Sequence, residues 1–293
     1  MKVYNPKDWV QLIFSISKSD TLLKLAPMIA FVTVFSFVVV YIELHVIKIS
    51  ADSWVRNLPQ MHSLLSFVIS LLLVFRTNTA YDRWWEGRKQ WGELVNNSRN
   101  LALKIAGMVD PSNEATRRFF RKTIPIFSFS LKDHLQSKVT EYSLDDDAGE
   151  QKEKLDFEKH VPNQIAKIMF SKVNQLYVSG GITGDQLILL NGEISSFTNI
   201  CGACERIKNT PIPYSYSSFI RKFILVYTLT LPLGYAFTVG YLAAPLVAFI
   251  FYVLASLELI AEEIEEPFGA DENDLPMEKI AENIDRHVGE ILD

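Results

Sequence analysis

The stretch 63–92, SLLSFVISLLLVFRTNTAYDRWWEGRKQWG, constrains the chain more than any other. It starts as an apolar helix and becomes a charged and aromatic one, with no Pro or Gly at the change. Phe67, Leu71 and Phe75 recur every four residues, so they stack along one helical face. Arg76, Asn78, Asp82, Arg83 and the pair Trp84-Trp85 follow directly. A helix that passes from hydrocarbon into an aromatic, charged interface suggests a membrane protein, with a hydrophobic stripe available to a pore.

A spanning helix needs about 20 mainly apolar residues. Four segments are read as spans: 22–47, 61–80, 218–237 and 241–261. The second is short and interrupted by Ser66 and Ser70, which suits the centre of a bundle better than lipid on all sides. Gly240 and Pro245 mark a turn so short that the last two spans must be antiparallel. Basic residues orient the set. Lys2, Lys7, Lys18 and Lys24 precede the first span, and Arg76, Arg83, Arg88, Lys89, Arg99 and Lys104 follow the second. The connector between spans one and two has only Lys48 and Arg56, and that between spans three and four has no basic residue. The positive-inside rule then places both termini and the central region in the cytoplasm.

The central region, 81–213, is too polar for a membrane and too long for a loop. Its apolar periodicity predicts helices near 90–108, 119–135, 165–178 and 185–207, with 141–160 a charged loop or solvated helix. Segments 1–21 and 262–293 are expected to be cytosolic, the first amphipathic and the second acidic. The formal net charge of −5 argues against nucleic acid as a partner. Two cysteines exclude a disulfide scaffold. No P-loop, G-x-G-x-x-G, H-E-x-x-H or G-x-S-x-G is present, so no enzyme is indicated, and no cofactor is expected.

Each candidate site has two readings. The Phe67, Leu71, Phe75 stripe packs against a neighbouring helix, or it forms a constriction that gates ions by dewetting. One helix cannot enclose a pore, so the stripe alone leaves both open. Asp185 follows a Gly-rich turn and reads as a helix N-cap or as an acidic ring at a pore mouth. Cys201 and Cys204 have C-x-x-C spacing without a second pair or a neighbouring His. That is a weak zinc signal; a redox dithiol is an alternative, and buried small residues at a helix contact are the preferred reading. The five histidines are scattered. The carboxylate run from Glu258 to Asp274 lacks EF-hand spacing and reads as a solvated helix end or as a divalent-cation or proton-sensitive element.

Three segments, FRTNTAYDRWWEGRKQWG (75–92), CGACERIKNTPIPYSY (201–216) and EEPFGADENDLP (265–276), resemble signature segments of the bestrophins, specifically the bacterial branch. The resemblance implies an all-α homopentamer around one pore, with four transmembrane helices and a helical cytosolic domain per subunit. It places Phe67, Leu71 and Phe75 at the family's hydrophobic neck and Asp185 at its cytosolic aperture, where many members have an apolar residue. Five carboxylates there would repel anions. Glu263, Asp271 and Asp274 match acidic positions of the calcium-binding segment of eukaryotic members, but Ala270, Glu272 and Asn273 alter the run, so metal binding there stays open. The expected function is passive passage of monovalent ions, with sodium or potassium preferred. The partners are a homopentamer of the chain itself, membrane lipid and the permeating ions. The alternatives are a chloride channel of the same architecture and a non-conducting, membrane-anchored interaction module.

Overall fold

The computed structural model describes residues 21–47, 54–137 and 155–293. Most of the expected N-terminal segment, the connector residues 48–53 and most of the charged stretch 141–160 lie outside the described residues. Among the described residues the fold is helical and contains no strand.

Helix α1 (Thr21–Tyr41) continues as a π-helical turn, Ile42–Ile47. A 3-10 turn, Trp54–Asn57, leads into α2 (Leu58–Met108). Then come α3 (Glu114–Leu135), α4 (Val161–Val178), α5 (Gly184–Asn209), α6 (Tyr214–Val239), α7 (Ala243–Glu265) and α8 (Met277–Leu292). Gly240 ends α6 at φ 57°, a left-handed conformation that glycine adopts without a Cβ clash. This is the turn expected between the last two spans.

Helix α2 organises the molecule. Its 51 residues extend about 77 Å at 1.5 Å per residue. No Pro or Gly lies between Pro59 and Gly87, and the hydroxyls of Thr77 and Thr79 bond back to the carbonyls of Leu73 and Phe75, so the polar residues do not break the helix. Its buried positions follow a seven-residue repeat, Leu73, Ala80, Gly87, Leu94 and Leu101, flanked by Ile69, Arg76, Trp91, Ser98 and Ile105. A heptad repeat keeps one stripe facing one side along the whole helix.

That stripe joins two cores. The first half of α2 packs with α6 and α7, and α1 joins the same core through them, around Val32, Ile69, Leu73, Ile224, Leu231, Val247 and Phe251. Gly234 of α6 lets the start of α2 approach closely, since a Cβ there would lie 2.8 Å from Pro59. Thr21–Ile47, Leu58–Met108 and Tyr214–Glu265 each hold a stretch long and apolar enough to cross a membrane; the last contains both α6 and α7. The second half of α2 packs with α3, α5 and α8, and α4 joins the same core through α3 and α5, around Trp91, Leu94, Phe120, Phe127, Ile165, Met169, Phe197 and Val288. Phe127 and Phe197 meet edge to face at 5.1 Å.

Candidate functional site

Phe67, Leu71 and Phe75 share the face of α2 opposite the buried stripe. They are 71%, 46% and 57% exposed in the single subunit. Within one chain they pack into neither core. The same face continues as Asn78, Asp82, Trp85, Lys89, Glu93, Asn96, Asn100 and Leu103, all exposed. It is therefore apolar for three turns and then mostly polar to the end of the helix.

A charged layer sits where the face changes. Arg76, one residue past Phe75, is only 1% exposed. Its Nη2 lies 2.7 Å from Glu265 and its Nε 3.4 Å from Glu258. Arg221 at the start of α6 reaches Glu258 at 3.4 Å and Glu262 at 2.8 Å, and Lys24 at the start of α1 reaches Glu263 at 2.6 Å. These pairs join the starts of α1 and α6 to the end of α7, so both run antiparallel to it. They also mark the level at which the apolar bundle stops. From sequence, Arg76 reads only as an interface charge. Its burial comes from the seven-residue offset from Ile69, a signal present in the sequence.

Below this layer the loop 266–276 clasps α2. Trp84 Nε1 donates to the Asn273 carbonyl at 3.1 Å, and Phe268 packs against Gly87. Arg83 donates to the carbonyls of Glu265, Ile207 and Thr210, satisfying the last turns of α7 and α5. Glu263 lies beside this loop: Oε1 takes Lys24, and Oε2 accepts from Asn273 Nδ2 at 2.6 Å. Asp274 accepts from the Asp271 N–H at 2.5 Å. Burial pushes the Asp274 carboxyl up to about 6. Among the described residues, Glu263, Asp271 and Asp274 do not form a group of converging metal donors. Glu263 and one oxygen of Asp274 hold the loop, while Asp274 Oδ1 is buried without a hydrogen-bond partner among the described residues.

Asp185 is the second residue of α5. The N-cap is Thr183, which forms a capping box with Gln186, so the sequence reading placed the cap two residues late. Lys104 pairs with Glu193 at 2.5 Å, and Arg206 with Glu86 at 2.6 Å, so α5 runs antiparallel to α2. Asp185 thus lies beyond the far end of α2. The 33 residues from Phe75 to Met108 correspond to about 50 Å along the axis. Ile188, three residues on, is 71% exposed, and Leu189, Tyr177 and Val178 are exposed beside it. Sequence reasoning named Asp185 and missed this apolar patch, although Asp185 and Ile188 have the spacing of one helical face.

Cys201 and Cys204 are both buried thiols, and burial pushes Cys201 up to about 12. They are contact residues of α5 rather than a reactive pair. The histidines are less scattered than their numbering. His134 and His160 both reach Glu205 Oε1 at 2.7 Å.

A helical membrane protein emerges whose longest helix carries one exposed face from an apolar bundle through a polar one. The family model described as Bacterial/Fungal Bestrophin protein matches residues 1–290. The chain belongs to the bestrophin family, whose members are membrane-embedded ion channels and not enzymes. A voltage-dependent anion channel-forming protein of Nostoc sp. is 34% identical over 77% of this chain and 75% of its own length. One from Synechocystis sp. is 33% identical over 80% and 78%. A crystal structure of a bacterial bestrophin homologue from Klebsiella pneumoniae superposes with a TM-score of 0.76 at 23% identity, covering 92% of this chain and 99% of that one. At that identity the likeness shows the fold.

Proposed function

We propose that the chain forms a homopentameric channel that passes monovalent ions passively, with four spans per subunit and both termini in the cytoplasm. The observation that carries this is the exposed face of α2. Three large apolar side chains in a row, on the one face that continues as the exposed polar positions Asn78, Asp82, Lys89, Glu93, Asn96 and Asn100, fit a surface shared between copies around water better than a face covered by lipid. Five copies facing one axis would form a hydrophobic neck of Phe67, Leu71 and Phe75, continued by a polar conduit. The apolar patch around Ile188 supports contact between copies at the far end, where Asp185 and Ile188 would form an aperture.

On selectivity, the names of the relatives favour anions over the cation preference expected from Asp185. The carboxylate is also a weaker filter than its charge suggests. It sits in the first turn of α5, where the helix dipole offers about half a positive charge. We therefore take anion passage as the leading reading. Asp185, Asp82 and Glu93, all exposed, support cation passage as the second.

Purified protein in a planar bilayer under a salt gradient separates them. A reversal potential near the chloride value supports the anion reading, and one near the cation value overturns it. Absence of current under every condition would favour the interaction module. Replacing Phe67, Leu71 and Phe75 together by Ala should raise conductance or open probability; unchanged currents would mean that the stripe only packs.

A further inference from the structure

The structure brings together three metal-competent side chains from three helices. His134 lies in the last turn of α3, His160 is the N-cap of α4, and Glu205 is near the end of α5. Both imidazole Nε2 atoms lie 2.7 Å from Glu205 Oε1, and the two rings have centroids 4.3 Å apart. One ligand atom from each residue lies within 4.8 Å of the others. About 70 residues separate His134 from Glu205 in sequence, so no spacing motif announces the group.

We propose that His134, His160 and Glu205 form a binding site for a divalent transition metal, with zinc the best-fitting ion. Two imidazoles and one carboxylate are a donor set that suits zinc and leaves a fourth position for water. Hard cations such as calcium and magnesium prefer oxygen throughout, so two nitrogens select against them. A tetrahedral ion about 2.1 Å from each donor needs the donors about 3.4 Å apart, so the side chains must open each Nε2–Oε1 separation from 2.7 Å by about 0.7 Å. They have room to do so. The side chains of His134, His160 and Glu205 are 33%, 29% and 31% exposed, which also gives an ion an entry path.

Binding has a local consequence. His160 Nδ1 accepts the Asn163 N–H at 3.2 Å, so without metal its proton is on Nε2 and points at Glu205. Ligation through Nε2 moves that proton to Nδ1 and gives up this cap bond of α4. The metal instead ties α3, α4 and α5 together directly. The site lies at the level of α2 just below the charged layer: Arg206, next to Glu205, pairs with Glu86. Lys208, one turn further, bonds the His134 carbonyl and Ser137.

The test uses full-length protein in detergent, free of affinity-tag histidines and stripped with a chelator. Zinc is titrated calorimetrically, and cobalt is added in parallel for its visible spectrum. One zinc per subunit is expected, with His134→Asn and Glu205→Gln each weakening binding at least about tenfold. Glu193→Gln, elsewhere on α5, should leave binding unchanged. No zinc uptake by the wild type overturns the proposal, as does equal affinity in both ligand variants. Should those variants fail to fold, the wild-type cobalt spectrum decides. Intense four-coordinate d–d bands support the site, and the weak spectrum of aqueous cobalt overturns it.

Discussion

The two halves of α2 share one backbone and one heptad-spaced buried stripe, yet their outward faces differ. The first half shows Phe67, Leu71 and Phe75; the second shows Asp82, Lys89 and Glu93. Inward, both are packed to the same standard, around Ile69 and Leu73 in one case and Trp91 and Leu94 in the other. Hydrophobicity therefore fails to tell inside from outside in the first half. Burial there is set by register, and the apolar residues left over are those with another surface to meet. The boundary is Arg76, a buried cation in the inward stripe between the two cores.

The largest expected effect tests that boundary. Arg76→Met leaves Glu258 and Glu265 without their buried cation, at a cost of about 3–5 kcal/mol. Thermal unfolding followed by size exclusion should show the loss, and Glu265→Gln on that background should recover part of it. A variant as stable as wild type would mean that the two halves do not depend on this layer.

Leu94→Ala and Leu71→Ala compare the halves with one chemical change. Leu94 is fully buried, so its truncation should cost about 2–5 kcal/mol. Leu71 lies on the outward face, so its truncation should cost less than about 1 kcal/mol and alter conductance instead. Equal losses would return the neck stripe to ordinary packing.

Much of this contrast is legible in the sequence. The four-residue stripe, the apolar spans and the Gly240 turn follow from periodicity and from glycine's conformational freedom. The family follows from the segments around Trp84, Cys201 and Pro267. What the sequence hides is long-range convergence. His134, His160 and Glu205 meet only because α3, α4 and α5 pack, and Glu263 meets Lys24 only because α1 and α7 are antiparallel. The acidic tail is a further case: its carboxylates look solvated from sequence, whereas Glu263 meets Lys24 and Asn273, and Asp274 accepts from the Asp271 N–H, once the loop folds back.

That loop gives a smaller, pH-dependent prediction about the second half of α2. Burial raises the Asp274 carboxyl from 3.8 to about 6. The folded protein holds this proton to higher pH than the unfolded chain does. Stability from this group is therefore full below about pH 4 and falls as pH rises through 6, by at most about 3 kcal/mol. Melting temperature measured from pH 4 to 7 should decline, and Asp274→Asn should flatten that decline. An unchanged slope would show that Asp274 is not the group responsible.

The smallest effect separates two glycines five residues apart on the second half. A Cβ at Gly87 would lie 3.1 Å from the Phe268 ring and 3.2 Å from Pro267. Phe268 is itself buried and has little room to retreat, so overpacking of at least about 1 kcal/mol opposes the similar gain in helix propensity. A Cβ at Gly92 meets only the tip of the Arg88 side chain, at 3.3 Å, which can swing away. Gly92→Ala should thus raise stability by up to about 1 kcal/mol, while Gly87→Ala leaves it unchanged or lowers it. The loop contact is what distinguishes them, so Gly87→Ala should also weaken the clasp. Faster hydrogen exchange at the Leu275 N–H, which bonds the Pro267 carbonyl at 2.9 Å, would report it. If both variants gain equally and the exchange rate stays the same, the loop does not hold this half of α2 in place.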